Sequence, residues 1–431
     1  MLKRFPPKFA TPAELADHQL SGLQWTVRHA WDNSPFYRNA LEAAGVTPED
    51  ITSMDDLRRL PFTTNQDLAA GYPFALRAAP FSDIVRVHAS SGTTGKRKVL
   101  CYTQKDLDDW QTMFARCYEL AGLTREDRVQ IAVGYGLWTA GIGFQLACEK
   151  FGAMAVPVGP GNLEIQIGFL QDLQSTVFCC TASMGLLLAE EVHRLGVKNS
   201  LNLKKIIMGA ERSSSAMLGI MHEFLGVEEI YDIPGLTEVY GPGTGLSCSH
   251  DNGIHYWADY YILEVLNPET LEPVAPGEVG EMVYTTLRKE GAPLIRYRSR
   301  DLTRLLEGDC PCGCPFPRHD RILGRSDDVI IFRGVNIYPG QVDEVLTRIP
   351  GIGSEYQVVL DHGEDGRDYM LITVERSRNG EAVPDDQVIK GIVSGIKRTL
   401  LVSCSVKLVD YGTHPRSEKK TKRFFDRRRF E

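Results

Sequence analysis

The sequence predicts an α/β fold: a large N-terminal domain of parallel sheet and helices with a strand-rich subdomain, then a small mobile α+β domain. Three observations carry this. Short apolar runs alternate with helical stretches between residues 103 and 233, the pattern of a parallel sheet with helices on both faces. From Tyr256 to Thr286 the pattern turns to strands and turns, punctuated by Asn267-Pro268 and Pro276-Gly277. Beyond Arg325 a compact strand and helix unit follows, of roughly the size of an independent domain.

Each element has its own signal. Thr11-Pro12-Ala13-Glu14 reads as a capping box with proline at the first helical position, opening an amphipathic helix through Trp31. The apolar stretch from Asp83 to Val87 reads as a strand leading into a polar loop. Thr103-Gln104-Lys105-Asp106 opens a second helix, which Gly122 closes. Strands are expected at Val129 to Val133, Ala153 to Val158, Thr176 to Thr181, Lys205 to Met208 and Glu229 to Ile233. Ligands of such sheets bind past the carboxyl ends of the strands, where the polar loop, Gly134-Tyr135-Gly136 and Gly209-Ala210-Glu211 fall. After Arg325, Val329 to Phe332, Tyr369 to Glu375 and Ser405 to Val409 read as strands around helices near 340–349 and 385–400. The division is therefore 1–325 and 326–431.

Composition narrows the function classes. A chain of 431 residues, 43% hydrophobic, can bury a large core without disulfide staples. Its net charge of −8 argues against a nucleic-acid partner. Residues 129–148 carry no charge, but four glycines and two glutamines break the stretch, which argues against a membrane span. Met1 to Pro7 lacks the apolar core of a secretion signal, and ten cysteines then point to free or metal-bound thiols in a reducing cytoplasm.

The polar loop is Ser90-Ser91-Gly92-Thr93-Thr94-Gly95-Lys96-Arg97-Lys98. Glycine frees backbone N–H groups, the hydroxyls add donors and the lysines add charge, a combination that suits phosphate. Its spacing is not that of a Walker loop: Ser90 stands where the first glycine belongs and Arg97 where the Mg²⁺-binding hydroxyl belongs.

Further motifs follow in order: Gly235-Leu236-Thr237-Glu238, Tyr297-Arg298-Ser299-Arg300-Asp301, Gly324-Arg325-Ser326-Asp327-Asp328 and Pro415-Arg416-Ser417-Glu418-Lys419-Lys420. In that order and spacing, the whole chain from Trp31-Asp32-Asn33-Ser34-Pro35 onward resembles the phenylacetate-CoA ligase branch of the adenylate-forming acyl-CoA synthetases. The resemblance implies that an acid attacks the α-phosphorus of ATP, releasing pyrophosphate, and that the acyl-adenylate then passes to the thiol of CoA. It implies catalytic roles for Thr237, Glu238 and Lys420: a phosphate-binding hydroxyl, the Mg²⁺ ligand, and the cation between carboxylate and α-phosphate. ATP binding is implied at Ser90, Ser91, Gly92, Thr93, Thr94, Gly95, Lys96, Gly209, Ala210, Glu211, Asp232, Pro234, Asp301 and Arg325. Asp301 resembles the acceptor of both ribose hydroxyls. Asp327 matches the hinge, and Arg333 and Gly334 the approach of CoA. Two positions depart from the pattern. Pro234 stands where the family commonly stacks a tyrosine on adenine, and Lys419 replaces the glycine before the tail lysine.

Other readings stand beside these. Thr237-Glu238 could cap a helix, Asp301 could pair with Arg298 or Arg300, and Arg416 to Arg429 reads by itself as a basic solvated tail. Tyr135, Trp138, Gly141 and Ala210 are candidates for the acid's pocket, since aromatic walls beside glycines suit a flat ring; core packing is the alternative. In this branch Cys248, His255, Cys310 and Cys312 resemble a closed structural zinc site, with Cys314 as rival third thiolate. Cys101, Cys117, Cys148, Cys179, Cys180 and Cys404 read as plain buried thiols. The implied set is ATP, Mg²⁺, CoA, an aryl acid and structural Zn²⁺, in a cytoplasmic homodimer. The alternatives are an enzyme that loads a carrier-protein thiol or passes AMP to another acceptor, and a nucleotide-binding regulator without catalysis.

Overall fold

The computed structural model describes residues 2–90, 97–213, 215–250, 253–328, 330–333, 335–363, 367–377, 383–415 and 423–428. Helix α1 (Pro12–Asn33) opens where the cap was expected: Thr11 Oγ1 accepts the Glu14 N–H at 3.2 Å. The box is not reciprocal, because the Glu14 carboxylate accepts from the Ala10 N–H at 2.8 Å instead. Leu23, Val27 and Ala30 turn inward, and proline starts α2 (Pro35–Ala43), which packs on α1. A short α3 (Asn65–Ala70) follows.

The strand before the polar loop is displaced from its expected place. Asp83 lies in a 3₁₀ turn, and β1 (Arg86–Ala89) pairs antiparallel with β2 (Val99–Tyr102) as a ribbon outside the parallel sheet. The loop therefore hangs from a hairpin, which the Ala89 N–H ties to Leu137 O at 2.9 Å, beside the end of the parallel sheet.

Helix α4 (Gln104–Leu120) leads into that sheet, built from β3 (Arg128–Ile131), β4 (Met154–Val156), β5 (Val177–Thr181), β6 (Lys205–Gly209) and β7 (Glu229–Ile233) in the order β4-β3-β5-β6-β7, all parallel. The crossovers are α5 (Ala140–Phe151), α6 (Leu163–Asp172), α7 (Ala182–Leu195) and α8 (Ser215–Leu225). Period-two alternation explains why the central β5 is apolar up to Thr181: Val177 and Cys179 join the core under α4 and α5, while Phe178 and Cys180 join the core under α7 and α8. The uncharged stretch 129–148 divides between β3, a glycine turn and α5, and no described helix is long and apolar enough to cross a membrane.

The strand-rich region is antiparallel. A small hairpin of β8 (Gly235–Leu236) and β9 (Gly241–Pro242) precedes β10 (Gly245–Ser247), β11 (Ile254–Tyr256), β12 (Tyr261–Leu266), β13 (Gly280–Thr286), β14 (Tyr297–Thr303), β15 (Leu305–Leu306), β16 (Arg318–His319) and β17 (Gly324–Arg325). They form the sheets β10-β11-β16-β15 and β12-β13-β14-β17.

The C-terminal elements are β18 (Ile330–Phe332), β19 (Val335–Ile337), α9 (Pro339–Leu346), β20 (Ile352–His362), β21 (Asp368–Arg376), α10 (Asp385–Leu400), β22 (Ser405–Val409) and β23 (Phe424–Asp426). Phe332, Val342, Val358, Ile372, Ile392 and Ile396 close a core of their own. The long central strand β20 was not expected, nor was β23 within the basic run. Arg416 to Arg429 is not merely solvated: Phe424 to Asp426 pairs parallel with β20, and Arg428 is buried between Asp368 and Asp426, each at 2.6 Å. The Asp368 carboxylate is invisible to a reading of the run's composition. The whole is the expected mixture of parallel α/β sheet, antiparallel strands and a small α+β unit.

Candidate active site and metal centre

The carboxyl edge of the parallel sheet carries the first group of candidates. A Cβ on Gly209 would meet Ile233 O at 2.2 Å, so glycine lets β6 and β7 approach, and Ala210 then turns the chain through a left-handed φ of +68°. That turn delivers Glu211 to the Ser183 hydroxyl, which donates to its carboxylate. The Asp232 N–H donates to Ser247 Oγ at 2.8 Å, and Pro234 O accepts the Gly243 N–H at 3.3 Å. Gly235 is required by the hairpin, since a Cβ there would lie 2.3 Å from Pro242 Cα.

The β8–β9 hairpin presents Thr237 and Glu238 in its turn, not at the start of a helix. Glu238 is 4% exposed, and its Oε1 accepts from Lys98 Nζ at 2.6 Å and from the Tyr297 hydroxyl at 3.1 Å. Lys98 ends the polar loop, and Ser90 and Lys98 close that loop's base: the Ser90 N–H donates to Lys98 O at 3.0 Å and the Lys98 N–H to Ser90 Oγ at 3.3 Å. A buried carboxylate and an ammonium thus face each other where the loop and the hairpin turn meet. Lys98 and Tyr297 lie inside motifs quoted above without a role of their own; Tyr102 and Lys289 hold the turn's carbonyls, and Tyr102 had no sequence signal beyond an apolar neighbourhood while Lys289 sits between Arg288 and Glu290 like a surface residue.

Asp301 sits opposite Arg325 in the β14–β17 register, with Oδ1 3.3 Å from Arg325 Nη1. The suggested partners Arg298 and Arg300 instead hold Glu281, at 2.8 and 3.4 Å. Arg325 also grips Asp327 at 2.8 Å, and Asp327 is exposed. Arg333 is exposed too, its Nε donating to Asp368 O at 2.9 Å.

Tyr135, Trp138 and Gly141 come together after β3. A Cβ on Gly141 would meet the Tyr135 ring at 2.5 Å and one on Gly134 the Trp138 ring at 2.8 Å, while the Gly141 N–H donates to Gly134 O at 2.8 Å. The Tyr135 hydroxyl has no hydrogen-bond partner among the described residues, and burial pushes it up to about 12. Ala210 shares this edge from the far side of β5. Ser91 to Lys96, Gly334 and Lys420 lie outside the described residues.

The donor atoms of Cys248, His255, Cys310 and Cys312 all lie within 4.8 Å of one another. Cys248 and Cys310 sulfurs are 3.5 Å apart, and Cys312 Sγ is 3.2 Å from His255 Nε2. His255 Nδ1 donates to Phe316 O at 2.9 Å, which turns Nε2 toward the sulfurs, and burial lowers the imidazole's pKa and keeps it neutral. Zn–S bonds of about 2.3 Å in a tetrahedron separate two sulfurs by about 3.8 Å, so this donor set fits zinc. Cys314 stands outside it; its N–H donates to Cys312 Sγ at 3.4 Å. The other six cysteines are free thiols, buried except for the partly exposed Cys404.

Residues 20–286 match the family model described as AMP-binding enzyme, and residues 334–428 that of the AMP-binding enzyme C-terminal domain. The phenylacetate-coenzyme A ligase of Escherichia coli (strain K12) is 39% identical over 429 residues, covering 98% of this chain and 97% of that one. This chain belongs to the phenylacetate-CoA ligase family. Among solved structures, this member of the family is similar to 2-hydroxyisobutyryl-CoA ligase in its postadenylation state with 2-HIB-AMP, with a TM-score of 0.88 at 28% identity over 99% of this chain and 92% of that one. Against the same ligase with 2-HIB-AMP and CoA in the thioesterification state, the TM-score is 0.70 at 28% identity, over 96% and 90% of the two chains.

Proposed function

We propose that this chain is an ATP-dependent aryl-carboxylate:CoA ligase. It is an adenylate-forming acid:CoA ligase, producing acyl-AMP and pyrophosphate and then acyl-CoA and AMP. The observation that carries the site assignment is the buried Glu238 carboxylate facing the Lys98 ammonium beside the phosphate loop. Adenylation crowds negative oxygens around the α-phosphorus, so fixed cations and donors must meet them there.

Glu238 is the hard oxygen ligand for the Mg²⁺ that arrives with ATP, and that ion supplies charge neutralisation. Thr237 and the loop from Ser90 to Lys96 hold phosphate, Asp301 takes the ribose hydroxyls, Asp232, Pro234 and residues 209–211 flank adenine, and Lys420 bridges the carboxylate and α-phosphate. Tyr135 and Trp138, set on Gly141 and Gly134, suit a planar acid, a reading supported by the phenylacetate relatives. Cys248, His255, Cys310 and Cys312 hold a structural zinc ion that ties the β10–β11 hairpin to the loop before β16.

The division 1–325 and 326–431, with Asp327 as hinge, is supported by the separate C-terminal core and by the better fit to the postadenylation state of the hydroxyisobutyryl ligase than to its thioesterification state. Rotation about Asp327 withdraws Lys420 and brings Arg333 and Gly334 to CoA. A cytoplasmic homodimer is the proposed setting.

The test is incubation with a panel of aryl and aliphatic acids, ATP and CoA. Aryl thioester with stoichiometric AMP is the expected result. Pyrophosphate release without thioester points to a carrier protein or another AMP acceptor, thioester from aliphatic acids alone overturns the aryl assignment, and no release with any acid points to a regulator.

A further inference from the structure

Donors from outside the β8–β9 turn converge on its backbone. The Tyr102 hydroxyl lies 3.1 Å from Thr237 O and 3.0 Å from Tyr240 O and shares its proton between them. Lys289 Nζ donates to Val239 O at 2.6 Å and to Glu238 O at 3.1 Å. This ammonium is 0% exposed and sits 4.8 Å from the centre of the Tyr102 ring and 4.7 Å from that of Tyr240.

Lys289 is itself held from behind. It belongs to the loop between β13 and β14, where the Glu290 and Gly291 N–H groups each donate to the buried Asp106 carboxylate at 2.8 Å. A Cβ on Gly291 would meet Cys101 O of β2 at 2.5 Å and Asp106 Oδ2 of α4 at 2.9 Å, so the loop lies flat against the end of β2 and the start of α4. A rigid path therefore runs from α4 through Lys289 to the carbonyls of the Glu238 turn.

Burying a lysine is costly, and a turn that only had to close could be satisfied by neutral donors. Burial lowers the pKa of the Lys289 ammonium to about 8, against the attraction of Asp106, Cys101 and Glu238. What the charge gains is grip: an ammonium bonds carbonyls more strongly than a neutral donor and keeps them on its own side of the turn. With carbonyls 237 to 240 drawn toward Lys289 and Tyr102, the Glu238 side chain is left to Lys98 and Tyr297.

We propose that Lys289 is a positioning residue for adenylation, clamping the Glu238 and Val239 carbonyls so that the Thr237 hydroxyl and Glu238 carboxylate stay aimed at the nucleotide phosphates and their Mg²⁺. This rests on the assignment of Glu238 as the Mg²⁺ ligand.

Lys289→Met keeps the chain length and removes the charge; Lys289→Arg keeps a cation. Pyrophosphate exchange at varied Mg²⁺, ATP and acid is measured with each, together with calorimetric titration of MgATP and a melting curve. Lys289→Met is expected to raise the Mg²⁺ needed for half-maximal exchange, and the Kd for MgATP, by about 10-fold or more, the size of a lost charged hydrogen bond. The KM for the acid stays within about twofold on the same basis. Lys289→Arg recovers most of the loss. Unchanged Mg²⁺ dependence and MgATP affinity in Lys289→Met, or a parallel loss of acid affinity, overturns the proposal. If Lys289→Met does not fold, Tyr102→Phe decides: a shift of about threefold in the same direction supports the clamp, and no shift overturns it. Glu238→Gln separates the two readings. If it leaves Mg²⁺ dependence unaltered, the Glu238 assignment fails; if it shifts the dependence and Lys289→Met does not, only the clamp fails.

Discussion

The turn at Thr237-Glu238 and the junction at Arg325 to Asp328 are both rich in charge, yet they are built in opposite ways. At the turn, Glu238 is buried, Lys98 and Tyr297 hold its carboxylate, and Lys289 and Tyr102 hold the backbone. At the junction, Arg325 meets the exposed carboxylates of Asp327 and Asp328, at 2.8 and 3.9 Å. Another tie across the two parts of the chain is the Tyr411 hydroxyl donating to Glu190. Exposed ion pairs contribute little and break easily, whereas a buried network costs several kcal/mol to disrupt. Under the proposed rotation about Asp327, the charges that would keep their place are the buried ones, and those that would part are left in water.

The sharpest break in that comparison is Lys420→Ala. Losing one fixed donor at a crowded phosphoryl centre is expected to lower adenylate formation by about 10²–10³, with thioester formation from supplied acyl-AMP largely kept. Near wild-type pyrophosphate release would sink the role of Lys420. Asp327→Pro comes next. A fixed φ and a missing N–H block backbone rotation, so one half-reaction should fall by about 10-fold or more while the other survives. Equal retention of both, measured separately, breaks the two-state account of the junction.

The cysteine and histidine cluster is a third kind of construction, in which three buried donors and the partly exposed Cys312 converge on one point, and the proposed zinc ion would hold them there. Zinc should co-purify at about one per chain and be lost in Cys312→Ser, with a melting temperature lower by about 5 °C or more, whereas Cys314→Ser keeps it. Elemental analysis giving the reverse pattern, or no metal in protein prepared without chelator, removes the assignment. The smallest effect is expected from Lys419→Ala, whose exchange rate should stay within about twofold of wild type. A larger loss would mean that the tail register is off by one and that Lys419 is the bridging cation.

Much of this molecule was legible in the chain alone. The alternation of apolar runs and caps placed the parallel sheet, because a strand buried on both faces between amphipathic helices has a local signature; β5 was expected at Thr176 to Thr181 and lies at Val177–Thr181, buried throughout. Ordered motifs named the family, since spacing along the chain is a property of sequence. The cysteine and histidine cluster could be named as well, although the structure alone showed Cys312 at 3.2 Å from His255 and Cys314 outside the donor set.

Tertiary structure decided what depends on residues distant in the chain. The ribbon of β1 and β2 left the parallel sheet because its partner strand lies across the loop, and no local period reports which edge a strand will join. Arg428 looked like part of a solvated tail until Asp368, 60 residues away, was seen to bury it. Asp301 met Arg325 rather than its neighbours because register places Asp301 opposite β17 while Glu281 on β13 takes Arg298 and Arg300. Lys289 is the clearest case. A lysine between Arg288 and Glu290 reads as surface, and only the convergence of two carbonyls, two aromatic faces and the Asp106 anchor makes a buried cation there tolerable. Charge is written in the sequence, but whether water or protein solvates it is settled only when the chain has folded.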